Sequence, residues 1–157
     1  MSDTVELAQA ISRTLGNLRY NEKDVKLFFG RIRSVEYPFI VVYFPIFTSS
    51  TADQNFYADI SAQVVIEFAY GEETDDLELY SFADTIIEPL KKGLKYKRRE
   101  KNFIITPNDD FEQRIVDGYL QISFSVNYQV DTADKVAYDN SEKMKDLDLT
   151  FESEGNK

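Results

Sequence analysis

The stretch FYADISAQVVIEFAY, residues 56–70, alternates between apolar and polar side chains. Apolar residues occupy all of its even positions, whereas Asp59, Ser61, Gln63 and Glu67 stand at odd positions. A period of two over this length predicts one long β-strand with a single buried face. At about 3.3 Å per residue this strand would reach about 50 Å, which exceeds the width of a small domain.

The apolar run that precedes this strand, Phe39 to Phe47, is predicted to pair with it as a β-hairpin. Pro45 has no backbone N–H to donate, so it places the run at a sheet edge or a bend. The polar residues from Thr48 to Asn55 are expected to form the tip. Because the second strand is so long, part of the hairpin is expected to project from the body.

Two other stretches have the spacing of amphipathic helices. Leu7, Ile11 and Leu15 mark the first helix, and Thr74 to Lys92 is the second, which Pro89 is expected to bend or end. Later in the chain, Asp117-Gly118 separates two strand patterns, Phe111–Val116 and Tyr119–Val130, and predicts a type I′ hairpin.

The order of these elements predicts an α+β fold with a mostly antiparallel sheet. We expect two helices packed on one face of the sheet, the long projecting β-hairpin, and a C-terminal arm. Residues 1–130 are interpreted as a single domain and residues 131–157 as the arm. The arm has eight acidic residues and four lysines, a local charge of −4. Met144 and Leu147 are among its scattered apolar residues, so the arm is expected to pack on another surface.

The composition argues against an enzyme. The 157 residues include no histidine and no cysteine. Nucleophilic triads of the Ser-His-Asp and Cys-His types therefore cannot be built, nor can a zinc site with nitrogen or sulfur ligands. Asp109, Asp110, Glu112 and Asp117 could bind Mg²⁺, but no Glu-x-Lys motif of a nuclease occurs in the chain. We interpret these carboxylates as turn residues and expect no cofactor.

Charge and hydropathy give expectations about the cellular setting. The opening residues show no secretory signal, and no apolar run approaches about 20 residues, so we expect a protein of a reducing cytosol without a membrane partner. The net charge of −10 disfavours general binding to nucleic acid.

The segment KKGLKYKRREK, residues 91–101, departs from the acidic average. It has seven basic residues and one acidic residue, a net +6. Three interpretations remain open: a solvated helix end with a loop, an interface with the acidic arm of a neighbouring copy, and a contact to nucleic acid. The candidate interface residues in this segment are Lys95, Lys97, Arg98 and Arg99. Tyr57 and Tyr119 join them because both stand on the polar phase of their strands.

Residues 5–150 resemble the tail-terminator (tail-completion) proteins of phages and prophages of Gram-positive hosts. The resemblance rests on the opening helix, Tyr37-Pro38-Phe39-Ile40-Val41-Val42, the strand Asp59–Tyr70, the helix Leu77–Leu90, Ile115-Val116-Asp117-Gly118-Tyr119-Leu120, Ser125-Val126-Asn127-Tyr128, and Met144-Lys145-Asp146-Leu147. All of these segments mark the fold, and none of them is catalytic.

The resemblance implies a structural virion protein without catalytic residues. Such proteins form a ring, usually a hexamer, that caps the finished tail tube and offers a surface to the head connector. The implied partners are further copies of the chain, the tail tube protein, and connector or neck proteins, with DNA passing through the lumen unbound. The site of action would be the tail or neck of the virion, assembled in the host cytoplasm. Another neck or head–tail adaptor ring, a carboxylate-metal nuclease or hydrolase, and a small nucleic-acid-binding module are the alternatives.

Overall fold

Helices and strands occur throughout residues 3–30, 36–51, 57–71, 74–98 and 100–131, which are the residues that the computed structural model describes. The helices in this part of the chain are α1 (Asp3–Leu15) and α2 (Asp76–Lys91). The strands are β1 (Arg19–Tyr20), β2 (Lys23–Asp24), β3 (Lys26–Phe29), β4 (Phe39–Thr51), β5 (Tyr57–Ala69), β6 (Leu94–Arg98), β7 (Lys101–Ile105), β8 (Glu112–Val116) and β9 (Tyr119–Asp131). The α+β fold, with two helices and mostly antiparallel strands, is confirmed. No helix among the described residues is long and apolar enough to cross a membrane.

The described strands form one large sheet and two small ones. The large sheet has the order β3-β4-β5-β9-β8, and β1-β2 and β6-β7 are two-stranded sheets. Glu67 on β5 accepts a hydrogen bond from Gln121 on β9, and Asp59 accepts one from Gln129. Residue numbers therefore rise along β5 as they fall along β9, so this central pair is antiparallel.

Internal contacts divide the chain into two compact units. Unit 1 is Met1–Phe47 with Ser61–Asn127, and unit 2 is Thr48–Ile60 with Tyr128–Lys157. Unit 1 contains both helices, both two-stranded sheets and most of the large sheet. Unit 2 contains the described ends of β4, β5 and β9. The predicted C-terminal arm lies outside the described residues, apart from Asp131 at the end of β9.

The long alternating strand is confirmed as β5. Its even-numbered side chains from Ala58 to Phe68 are buried, whereas Asp59 and Ser61 are exposed. The predicted hairpin tip is partly wrong, because β4 continues through Thr48 to Thr51. This segment has no Gly, Asn or Asp to start a turn, and threonine favours extended backbone, so the strand runs on.

β3 is a short strand at the edge of the large sheet. The apolar pattern of residues 27–33 predicts a strand with a bulge at Gly30; β3 ends at Phe29, Gly30 follows with φ +80°, and residues 31–33 lie outside the described part of the chain. β3 pairs with β4 in parallel, with Lys26 opposite Phe39. The large sheet is therefore mixed, with this parallel pair at its edge.

A small hairpin of β1 and β2 lies within residues 17–24. Asn21 and Glu22 both have positive φ, as a type I′ turn requires, and join β1 to β2. The ring of Tyr20 packs edge-on against Phe68 and Phe82, at 5.0 Å from each. The hairpin thereby covers one end of the core.

Both predicted helices are confirmed, with corrections at their ends. Asp75 caps α2 by accepting a hydrogen bond from the backbone N–H of Leu77 at 3.3 Å. Pro89 does not end the helix, which continues to Lys91. α1 packs against α2 and against β6. The buried stripes are Leu7, Ala10, Ile11 and Leu15 on α1, and Leu79, Phe82, Ala83, Ile86, Ile87 and Leu90 on α2.

The predicted hairpin at Asp117-Gly118 is confirmed. Both residues have positive φ, +49° and +81°, and Val116 pairs with Tyr119 across the turn. Glycine, asparagine and aspartate adopt this conformation at low cost, which is why the two-residue signal is reliable.

Candidate functional site: a basic hairpin and a tyrosine cleft

The basic segment begins at the end of α2, as predicted, but a β-hairpin follows in place of the predicted loop. β6 and β7, residues 94–105, form this basic hairpin, with Lys95 opposite Ile104 and Lys97 opposite Asn102. These four side chains are exposed, whereas Leu94, Tyr96 and Ile105 are buried. The period-two alternation of Leu94, Lys95, Tyr96 and Lys97 is the signal for β6, and the high charge content of the segment obscured it.

The outer face of the basic hairpin combines positive charge with an exposed apolar side chain. Within the described residues neither Lys95 nor Lys97 forms a salt bridge. Ile104, beside them, is 60% exposed. Arg98 ends β6, but its side chain and all of Arg99 lie outside the described residues. This face is therefore able to meet an acidic surface that also offers apolar contact.

A second surface feature is an open cavity of about 800 Å³, which we call the tyrosine cleft. Four separate segments of unit 1 build it: Tyr37 (two residues before β4), the end of β5, the start of α2 and the β8–β9 turn. Its lining residues are Tyr37, Ala69, Tyr70, Gly71, Thr74, Asp75, Asp117, Gly118 and Tyr119. The lining thus contains three tyrosines, two carboxylates and no basic side chain among the described residues.

The position of Tyr37 depends on Gly71. A Cβ atom added to Gly71 would lie 2.5 Å from Cγ of Tyr37, so the ring rests directly on the glycine. The same ring stacks on Phe39 at 5.5 Å and keeps 53% of its surface exposed. Tyr37 therefore lines the cleft with an exposed aromatic side chain that contacts both Gly71 and Phe39.

The other two tyrosines differ in exposure. Tyr119 is 41% exposed at the rim, which agrees with its predicted place on the polar phase of β9. Tyr70 is partly buried, and burial raises the pKa of its hydroxyl, with a further contribution from the Asp76 carboxylate. Tyr70 thus remains a neutral hydrogen-bonding group at physiological pH.

We expect Gly71→Ala to lower the free energy of unfolding by about 2–4 kcal/mol, because it adds left-handed strain and displaces the Tyr37 ring. Gly71 has φ +83°. Gly30→Ala is the matched control, because Gly30 has φ +80° and its added Cβ would meet nothing within 4 Å. Denaturant unfolding of both variants measures the difference. Equal losses for the two variants would contradict the close contact between Gly71 and Tyr37.

The cleft and the basic hairpin lie at opposite ends of α2. Asp75, the N-cap, lines the cleft, and Lys91 at the other end leads through Lys92 and Gly93 into β6. The helix has 16 residues and is therefore about 24 Å long. Unit 1 thus carries an acidic, aromatic concave surface and a basic hairpin with one exposed face at two separate places.

The large sheet has a polar network on its outer face. The Tyr43 hydroxyl and the Gln121 amide both donate to Oε2 of Glu67, at 3.3 Å and 2.9 Å. Arg114 donates to Oε1 of Gln121 at 2.9 Å, which extends the network over β4, β5, β9 and β8. Burial and the Glu67 carboxylate raise the pKa of Tyr43. These side chains are hydrogen-bonded to one another across neighbouring strands, so we interpret the network as one that fixes the register of the strands.

The other residues predicted for an interface or a metal site belong to neither the basic hairpin nor the described lining of the tyrosine cleft. Tyr57 begins β5, but its side chain lies outside the described residues, as do Met144 and Leu147. Asp109 and Asp110 are exposed, and no cluster of three or more carboxylates suited to a metal ion occurs among the described residues. Tyr37 and Tyr70 were not singled out from the sequence. The motifs Tyr37-Pro38 and Tyr70-Gly71, each at a strand end, were their only signal.

No protein-family model matches the chain, and no curated protein matches its sequence. The two surfaces and the resemblance noted above are therefore the basis on which a function is proposed.

Proposed function

We propose that this protein is a structural subunit of a long-tailed phage, a tail terminator that assembles into a ring, usually a hexamer. The ring caps the end of the tail tube and joins it to the head connector. The observation that supports this most is the placement of the basic hairpin and the acidic tyrosine cleft at opposite ends of α2. Surfaces of opposite charge at different places on one subunit favour head-to-tail contacts, and head-to-tail contacts that close by rotation make rings.

The overall charge is compatible with this role. A ring at the end of a tube stops polymerisation because it covers the surface on which the next tube subunit would bind. DNA must pass through the lumen of such a ring during packaging or ejection. With a net charge of −10 the protein repels phosphate groups, so DNA passes without being held.

We expect the purified protein to bind one end of tail tubes as a closed ring and to stop the growth of tubes from tube protein. Tube length distributions and end-on electron micrographs, with and without the protein, measure both effects. Mass in solution shows whether the ring also forms without tubes. A protein that remains monomeric and does not bind tubes would exclude the proposal. Rings that bind connectors but not tubes would identify a neck adaptor instead.

A further inference from the structure

The tyrosine cleft has the features of a receptor for a basic segment. Its described lining provides Tyr37, Tyr70 and Tyr119 together with the carboxylates of Asp75 and Asp117. Ammonium and guanidinium groups bind over the faces of aromatic rings within about 6 Å and pair with carboxylates. The chain already contains one such contact, with Nζ of Lys91 at 5.8 Å from the Phe111 ring centroid. A cavity of about 800 Å³ can accept several side chains at once.

We propose that the basic hairpin of one copy binds in the tyrosine cleft of the next copy. Lys97 then lies against the exposed side chains of Tyr37 and Tyr119 and close to the carboxylate of Asp117. Ile104 adds apolar contact at the rim. This contact rests on the proposed function, because it joins neighbouring subunits of the ring.

The distribution of charge decides in favour of a head-to-tail contact over a symmetric one. Two basic hairpins placed face to face would bring together the net +6 of each segment 91–101, and two clefts would oppose their carboxylates. Of these three pairings, only that of a hairpin with a cleft brings opposite charges together. An open chain of subunits keeps one unused hairpin and one unused cleft, at its two ends, until the ring closes.

Disulfide trapping tests the contact, because the full chain has no native cysteine. Asn102→Cys places a thiol on the exposed face of the hairpin, and Val116→Cys places one at an exposed residue next to Asp117 of the cleft lining. Lys97 and Tyr119 stay unchanged. Under mild oxidation we expect a ladder of cross-linked oligomers that ends at the ring. The control pair combines Asn102→Cys with Asp84→Cys, an exposed position in the middle of α2, and should give no ladder.

A third arm adds Lys95→Glu and Lys97→Glu to the trapping pair. We expect the cross-linked fraction to fall at least tenfold. Trapping that equals the control pair, or that survives the reversal, would overturn the hairpin-in-cleft contact. Rings on tail tubes without trapping would overturn the contact and leave the proposed function standing. Trapping by a protein that does not cap tubes would support the contact and overturn the proposed function.

Discussion

Phe68→Ala is expected to lower the free energy of unfolding by about 3–5 kcal/mol, the usual cost of removing a large aromatic side chain from a core. Phe68 on β5 is fully buried. Its ring lies 4.5 Å from Phe82 on α2 and 5.0 Å from Tyr20 in the β1–β2 hairpin. The truncation therefore opens a cavity where three elements meet, and these elements are not all free to collapse into it.

Urea unfolding of Phe68→Ala and of Tyr80→Ala measures this effect. Tyr80 is also an aromatic residue but is 40% exposed on α2, so its loss is expected to change stability by less than about 1 kcal/mol. Because a domain has only about 5–15 kcal/mol of stability, the Phe68 variant should unfold at a much lower urea concentration. Similar midpoints for the two variants would show that Phe68 is not the centre of the core.

The second large effect is expected on assembly. Reversal of Lys95, Lys97, Arg98 and Arg99 to Glu should abolish ring formation and tail capping at low salt and leave the fold intact. Each exposed ion pair contributes only about 0–1 kcal/mol, so a single reversal should be nearly silent. Four reversals repeated at every interface of a ring act together, and they also replace attraction with repulsion.

Salt separates this electrostatic effect from misfolding. The Debye length falls to about 3 Å at 1 M salt, so part of the assembly should return there. Arg13→Glu, at an exposed position on α1, reverses one charge outside the basic hairpin and should assemble normally. Normal assembly of the fourfold variant at low and high salt would mean that the basic hairpin is solvated and takes no part in an interface.

The local sequence pattern was enough to predict the helices and strands that bury a single face. The alternation in β5, the helical stripe Leu7–Leu15 and the turn at Asp117-Gly118 each reflect a preference that acts within a few residues. Their positions were therefore predicted closely. β6 shows the limit of this reasoning, because its alternation is only a few residues long and is masked by lysine and arginine.

The sequence by itself determined the α+β class, the long hairpin, and the positions of strong charge. The tertiary structure alone decided that β3 pairs in parallel with β4 and that the basic segment folds as a hairpin under α1. It also brought Tyr37, Gly71 and Tyr119 to one cleft. Periodicity reports which face of an element is buried, but not which distant element covers it. That choice depends on packing between residues far apart in the chain, and the candidate site is built from such contacts.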